Sequence, residues 1–372
     1  MKLIAQLKLL PTLEQSDALK WTLEAANSAA NYISEAAWET ETFGKFALQR
    51  RCYAEVRERF GLSAQVTVRA LAKVGDAYKL DKRTKRIFKP LGSIAYDDRI
   101  LSWNLHEFSV SIWSVEGRLR MWFVTGERQM ELLKTRMGET DIVYRRGEWY
   151  LLATCEVNNP DPLVPQGVLG VDMGIRNIAS DSDGNIHSGT AVNSVRHRNR
   201  KLKRKLQKKR TKSKRRRLQK LSGKERRFAT NTNHIISKCI VELAERTKRA
   251  IALEDLKGIR FRVRARRSQR AHLHSWSFGQ LRAFIEYKAH LVGVPVLYVD
   301  PRNTSLDCPQ CGHISKTNRP SRATFGCTAC GTAGHADVIA AGNIASRAVV
   351  MLPNVSEAVA VAAAAPGTSP RL

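Results

Sequence analysis

Two Cys-x-x-Cys pairs, Cys308/Cys311 and Cys327/Cys330, stand fifteen residues apart. Each pair can curl so that both sulfurs face one ion, and the glycine after the second cysteine (Gly312, Gly331) permits the tight turn this needs. Both the spacing within the pairs and their separation are those of a four-thiolate zinc site, and two matched pairs fit a redox dithiol poorly. With four protein ligands the ion has no open position, so one structural Zn2+ is expected to hold shape and perform no chemistry. Cys52, Cys155 and Cys239 are scattered singly and are expected to be buried small hydrophobes. The pattern fits a reducing compartment better than a disulfide framework.

Three acids stand at the ends of apolar segments. Asp172 follows the strand-like "LGV", Glu254 ends "AIAL", and Asp337 opens the helix-like "ADVIAAGNIA" just after the last cysteine. Taken singly they read as a turn residue, an exposed strand end and a helix N-cap. A carboxylate on a buried strand is costly unless a cation pairs with it. Three such acids on separate segments could converge on one point, which is how proteins hold two Mg2+ ions for phosphodiester hydrolysis.

The elements that must position these groups follow from the hydrophobic period. "LIAQLKLLPT" reads as a strand. From Leu13 to about Glu58 the apolar residues Leu19, Leu23, Ala26, Ala30, Ile33 and Ala37 recur at helical steps. "VTVRALAKVGDAYKLDKRTKRIF" reads as a further helix, stopped by Pro90 and Gly92. Between Ser93 and Glu156 the period becomes two, with hairpins turning at Glu116-Gly117 and Arg146-Gly147. A sheet with a helical block inserted after its first strand explains this order. The Pro-rich stretch 158–166 is the strongest linker signal. Beyond it come a strand, a turn, a second strand and an Asp-Gly turn. Two basic helices and the amphipathic "HIISKCIVELAERTKR" follow, where Ile236, Ile240 and Leu243 share a face with Cys239. The strand "AIALEDL", the helix "SFGQLRAFIEYKAHLVG" and the strand "VPVLYVD" precede the cysteines. Residues 353–372 are of low complexity and read as disordered.

Of the 372 residues, 63 are Lys or Arg and 34 Asp or Glu, giving a net charge of +29 and an isoelectric point near 10.3. Such an excess points to a polyanionic partner, nucleic acid first. Residues 195–228 hold nineteen Lys/Arg and one Glu. Leucines 202, 206, 218 and 221 at near-helical spacing favour two helices laid against a nucleic-acid backbone over a solvated tail. The contacts expected there are Arg196, Arg200, Lys201, Arg204, Lys205, Lys208, Arg210, Arg215, Arg216, Arg217, Lys224 and Arg227. Trp276, Phe278 and Tyr287 could stack on bases but suit core packing better, and His272 and His274 read as solvent or phosphate contacts. No apolar run is long enough to span a bilayer, and the start lacks the apolar core of a signal peptide. The expectation is a cytoplasmic protein with no membrane partner.

In order along the chain, "GVDMGIRNIASDSDG", "IALEDLKGI", the cysteine pairs and "HADVIAAGNIA" resemble the three RuvC motifs and zinc ribbon of the TnpB (OrfB) proteins of insertion sequences. The likeness takes in "LLPTLEQ", the basic run and "WSFGQLRAFIEYKAHLVGVPVLYVDPRNTSLDCPQCG", and covers most of residues 1–350. It implies a multidomain α/β fold: an RNase H-like (RuvC) nuclease core with an inserted zinc ribbon, preceded by a wedge-like β-barrel that carries an inserted helical recognition lobe. The barrel would be residues 1–12 and 93–157, the lobe 13–92, the linker 158–166, the nuclease 167–302 and 334–350, the ribbon 303–333 and the tail 351–372. It further implies an RNA-guided DNA endonuclease in which Asp172, Glu254 and Asp337 hold two Mg2+ ions, with Asp255 a neighbour and not a ligand. The partners would be a guide RNA derived from the transposon end and a double-stranded DNA target. Two positions depart from the family pattern: Ile339 replaces an Asn of the third motif, where a supporting hydrogen bond is lost, and Thr304-Ser305-Leu306 replaces Thr-Ser-Gln. The rival readings are a cleavage-dead RNA-guided repressor, a miniature type V CRISPR effector and a DNA strand-transfer enzyme. The ribbon, set between the last core strand and the helix of Asp337, is expected to fix where that helix begins.

Overall fold

The computed structural model describes residues 1–208, 211–256 and 278–352. The chain divides into two compact units, residues 1–158 and 159 onward.

The first unit is a sheet with a helical block inserted after its first strand. β1 (Lys2–Leu10) lies in the middle of the sheet. Then come α1 (Leu13–Glu39), α2 (Lys45–Phe60) and α3 (Ala64–Leu80), followed by β2 (Ile94–Tyr96), β3 (Leu101–Asn104), β4 (Ser109–Ser114) and β5 (Gly117–Val124). A short helix absent from the sequence expectation, α4 (Glu127–Leu133), precedes β6 (Arg136–Arg145) and β7 (Glu148–Glu156). The strand order is β2-β6-β7-β1-β5-β4-β3. This ladder has two ends, β2 and β3, so hydrogen bonds do not close it into the expected barrel; the ends are consecutive strands joined by the turn after Asp97. The second hairpin turns where the sequence placed it, with Arg146 and Gly147 at φ +58° and +85°, the left-handed pair that matches strand twist. The first turns one residue earlier than expected, at Val115 and Glu116, with Gly117 already paired to Ser114. The apolar stripe of α1 is buried as its spacing predicts, and Thr12 and Gln15 cap its start reciprocally.

Two helix boundaries differ from expectation. The block read as helical to about Glu58 breaks at residues 40–44, where Thr40 caps α1 and Gly44 opens α2. The helix read as running to Phe88 stops at Leu80, because Asp81 turns extended and accepts the Arg83 amide. The following strap instead lies along α1. Ser34 donates to the Arg86 carbonyl, Asn31 exchanges two hydrogen bonds with Phe88, and Asn27 donates to the carbonyls of Pro90 and Gly92. These side-chain bonds replace helical ones.

The second unit is built on a five-stranded sheet: β8 (Gly167–Asp172), β9 (Asn177–Asp181), β10 (Ile186–Ser188), β11 (Arg249–Glu254) and β12 (Val296–Val299). Its order is β10-β9-β8-β11-β12, with β8, β11 and β12 parallel and β9 antiparallel to its two neighbours. Among the described residues it also holds helices α5 (Thr190–Gln207), α6 (Lys212–Arg246), α7 (Phe278–Leu291) and α8 (Ala336–Val349). The second basic helix and the amphipathic segment are one 35-residue helix. Its first half is exposed and basic; its second half buries Ile236, Ile240, Val241 and Ala244. Cys239 falls off that face and is exposed, against expectation, whereas Cys52 and Cys155 are buried.

The sheet is covered on both faces, so its strands read as continuous apolar runs. Leu169, Val171, Ile251 and Leu253 pack with α6 and α7. On the other face Val168 and Ala252 pack with Ile344 and Ala348 of α8. Residues 353–372 lie outside the described residues.

Candidate active site

Strand periodicity aims two of the acids. Leu169 and Val171 face α6 and α7, so Val168, Gly170 and Asp172 face α8. In the same way Ala252 and Glu254 face α8. β8 and β11 are parallel with Val171 opposite Leu253, so Asp172 and Glu254 are the next residues along two adjacent strands. They emerge at the carboxyl edge of the parallel strands, where open α/β sheets place their ligands.

The third acid arrives on α8. Gly170 allows it: a Cβ there would sit 1.9 Å from the Ala341 carbonyl oxygen and 2.7 Å from the Ala345 amide nitrogen. Only a residue without a side chain lets α8 lie directly on β8, and this contact brings its first turn over the strand ends. His335 is the N-cap and Asp337 lies in the first turn, where a carboxylate is favoured by the helix dipole. Asp337 is held from two sides. Asn177 at the start of β9 donates to Oδ2 at 2.9 Å, and Arg319 donates to Oδ1 at 2.8 Å.

The electrostatics reflect this convergence. Burial, followed by the charges of Glu254 and Asp337, pushes the Asp172 carboxyl up to about 7 against the pull of Arg319. Burial also raises Glu254, opposed by the Thr304 hydroxyl that donates to its Oε1 and by Arg347. Thr304 is in turn fixed by Asn343, whose side chain donates to the carbonyls of Thr304 and Asp307 at 2.9 and 2.8 Å. Asp255 points away from this group and pairs with Arg282 at 3.1 Å. The donor set is all oxygen, the charges of Glu254 and Asp337 both act on Asp172, and a guanidinium is the only cation bonded to a member of the trio among the described residues; the three carboxylates do not close to within 4.8 Å of one another as the cysteine sulfurs do. That chemistry fits hard divalent cations such as Mg2+.

The cysteines form the second cluster. Between β12 and α8, the four sulfurs of Cys308, Cys311, Cys327 and Cys330 lie within 4.8 Å of one another and could hold one metal ion. Gly312 and Gly331 adopt φ +68° and +79°, and their amides close the turns onto the carbonyls of Cys308 and Cys327. Thr332 beside Cys330 holds that thiol down to about 6, whereas Cys311, against the pull of the His313 amide, is pushed up to about 12 by the neighbouring thiols, so the four sulfurs share protons that a bound Zn2+ would displace. The strands β13 (Thr324–Gly326) and β14 (Ala333–His335) complete this ribbon.

Three contacts tie the ribbon to the first turn of α8, beyond those that Asn343 and Arg347 make with Thr304 and Asp307 further along the helix. The Ala336 amide donates to Ala323, Arg319 reaches Asp337, and Ile339 packs with the cluster of Cys308, Phe325, Cys327 and Ala336. Ile339, which the sequence marked as a lost hydrogen bond, is an apolar contact between helix and ribbon. Arg319, Asn177, Asn343 and Gly170 were not anticipated. The signal for Gly170 was present as a lone glycine inside an apolar strand.

The basic helices pair through Glu225, the only acid of the run. It accepts from Asn199 at 3.1 Å and Lys203 at 3.0 Å. Lys201, Arg204, Lys205, Lys208, Arg215, Arg216, Arg217, Lys224 and Arg227 are exposed, whereas Arg196 and Arg200 are half-buried. Burial lowers Arg196 beside Glu225. Tyr287 and Phe284, one turn apart on α7 and both half-buried, pack edge-on with ring centroids 5.9 Å apart, beside and not within the apolar core of this unit. Arg210, His272, His274, Trp276 and the Phe278 side chain lie outside the described residues. No helix among the described residues is long and apolar enough to cross a membrane.

A family described as a probable transposase matches residues 153–258, and a Cas12f1-like TNB domain matches 278–344. A TnpB-like protein of Methanocaldococcus jannaschii is 32% identical over 189 residues, which are 48% of this chain and 67% of the relative. The CRISPR-associated endodeoxyribonuclease Cas12f1 of Sulfoacidibacillus thermotolerans is 36% identical over 144 residues, and the match spans 38% of this chain but only 31% of that protein. Among solved structures, a Cas12f1–sgRNA–target DNA complex superposes with a TM-score of 0.64 at 17% identity, covering 90% of this chain and 83% of that one. The mini-RNA-guided endonuclease Cas_phi3 gives 0.54 at 12% identity, covering 94% and 92%. These likenesses establish a multidomain α/β fold of the kind seen in type V effectors. The M. jannaschii match spans two thirds of that relative, and with the transposase and TNB matches it shows that the chain belongs to the TnpB (OrfB) family of insertion-sequence proteins.

Proposed function

We propose that this chain is an RNA-guided, Mg2+-dependent DNA endonuclease with an RNase H-like (RuvC) core. The observation that carries the reading is the convergence of Asp172, Glu254 and Asp337, from three segments far apart in sequence, on one edge of the sheet. Bound divalent cations would activate water and stabilise the leaving oxygen of a phosphodiester. Asp172, Glu254 and Asp337 would hold them. Thr304 and Asn343 fix the Glu254 carboxylate, and Asn177 fixes that of Asp337. Arg319 donates to Asp337 and, where cations took over that carboxylate, would be free to turn toward a scissile phosphate. The ribbon, closed around a structural Zn2+, sets the start of α8 and therefore the place of Asp337.

In this reading the first unit comprises a wedge, residues 1–12 and 93–157, and a recognition lobe, 13–92, that hold a guide RNA derived from the transposon end. Pairing with the guide reads the DNA sequence, while the protein reads a short flanking motif and the shape of the heteroduplex. The exposed cations of α5 and α6 contact phosphates, so binding weakens steeply with salt. A miniature type V effector would use the same chemistry, and the Cas12f1-like match favours it as the second reading. Neighbouring genes separate the two. A cleavage-dead repressor is disfavoured because all three acids are present and gathered.

The test is cleavage of a guide-matched plasmid library by the chain with its flanking RNA in Mg2+, beside Asp172→Ala. Motif-dependent cutting that the variant loses supports the proposal. RNA-dependent binding without cutting contradicts it.

A further inference from the structure

Ser180 lies on β9 directly opposite Asp172 on β8. Residues opposed in an antiparallel pair point to the same face with their Cβ atoms about 5 Å apart. The Ser180 hydroxyl therefore shares the α8 face with the Asp172 carboxylate. Ser180 is 1% exposed, and its Oγ is a buried polar atom without a hydrogen-bond partner. The next residue shows the contrast: Asp181 is equally buried, yet it accepts from the amides of Asp183 and Asn185 and from the Asn185 side chain. A strand position that served packing alone would be filled at lower cost by Ala or Val, because a buried hydroxyl without a partner destabilises the fold. Breaches of this kind gather at functional sites.

We propose that Ser180 is a positioning residue for a divalent cation held by Asp172. Once a cation takes one oxygen of that carboxylate, the other oxygen accepts a hydrogen bond from Ser180 Oγ. The carboxylate is then locked in its binding orientation and the orphan hydroxyl is satisfied. Such supporting bonds raise metal affinity about 10–100-fold. The inference rests on the acid trio being a cation site and gives a role there to a residue of the first motif to which the resemblance assigned none.

The experiment is Mn2+ titration of the full-length chain, following free Mn2+ by electron paramagnetic resonance, with parent, Ser180→Ala and Asp172→Ala compared. Ser180→Ala removes one buried, unpaired oxygen, so its thermal midpoint without Mn2+ is expected to equal or exceed the parent's. Its Mn2+ dissociation constant is expected to rise about 10-fold or more. In cleavage, the Mg2+ concentration for half-maximal rate rises while the rate at saturating Mg2+ returns to the parent's, a split that a packing defect would not produce. Equal Mn2+ affinity in parent and Ser180→Ala, with binding lost in Asp172→Ala, overturns the role of Ser180 alone. Equal binding in parent and Asp172→Ala overturns the cation site and the Ser180 proposal with it.

Discussion

The two anionic clusters of the second unit are built on opposite plans. The cysteines come from one short segment, each pair closed by its own backbone amides and a left-handed glycine. The acids come from two strands and a helix whose sequence positions span 165 residues, from 172 to 337; Glu254 leans on Thr304, and Asp337 on Asn177 and Arg319. Four ligands fill a tetrahedral ion and leave it inert, whereas three carboxylates leave coordination positions open. The thiolate cluster is a local fold, and the acid cluster is a product of the whole sheet. They meet in α8, whose first turn carries Asp337 and whose Ile339 rests on the ribbon.

The largest effect that bears on this contrast is expected from Asp172→Ala. Cleavage should fall by about 10³-fold or more, ~4 kcal/mol of barrier, with the far-ultraviolet spectrum and zinc content unchanged; a single-turnover assay and metal analysis check both. Cys308→Ser should instead lose zinc and cleavage together, because the ribbon no longer sets the start of α8. A zinc-free variant that cuts DNA at the parent rate would separate the clusters. Gly170→Ala probes the sheet contact. Its methyl group would overlap the Ala341 carbonyl, and denaturant midpoints should show a loss of about 3 kcal/mol or more, with zinc retained.

A smaller effect concerns pH. Asp172 titrates near 7 in the fold without cations and near 4 when unfolded. The native state therefore holds the extra proton between these values. This stabilisation is full below about pH 4 and is lost as pH rises toward 7, amounting to about 2–4 kcal/mol. Urea midpoints of zinc-loaded, Mg2+-free protein at pH 5 and 7.5 should show the decline. Asp172→Asn should flatten it, and saturating Mg2+ should reverse it. A midpoint that climbs over this range would mean that Asp172 is not held buried beside Glu254 and Asp337.

The same contrast explains what was legible in the sequence. The cysteine pairs and their glycines were readable because chemistry and turn geometry lie within a few residues. The α1 stripe and both hairpins were local in the same sense. The acids could be picked out as carboxylates at the ends of apolar strands, but their convergence depends on strand order and on Gly170, which periodicity does not encode. Arg319 and Asn343 looked like ordinary ribbon and helix residues, since their partners lie 18 and 36–39 positions away. The end of α3 was missed because the side chains that hold the strap sit about 50–65 residues earlier on α1. The open ends of the first sheet, too, are set by strand pairing and not by any one strand.

The most direct test of the acid site is to soak crystals of the full-length chain in Mn2+ and locate the ion by anomalous scattering. The account predicts Mn2+ between Asp172, Glu254 and Asp337, with the Arg319–Asp337 hydrogen bond released. Peaks confined to other surfaces at saturating Mn2+, with that bond intact, would contradict it.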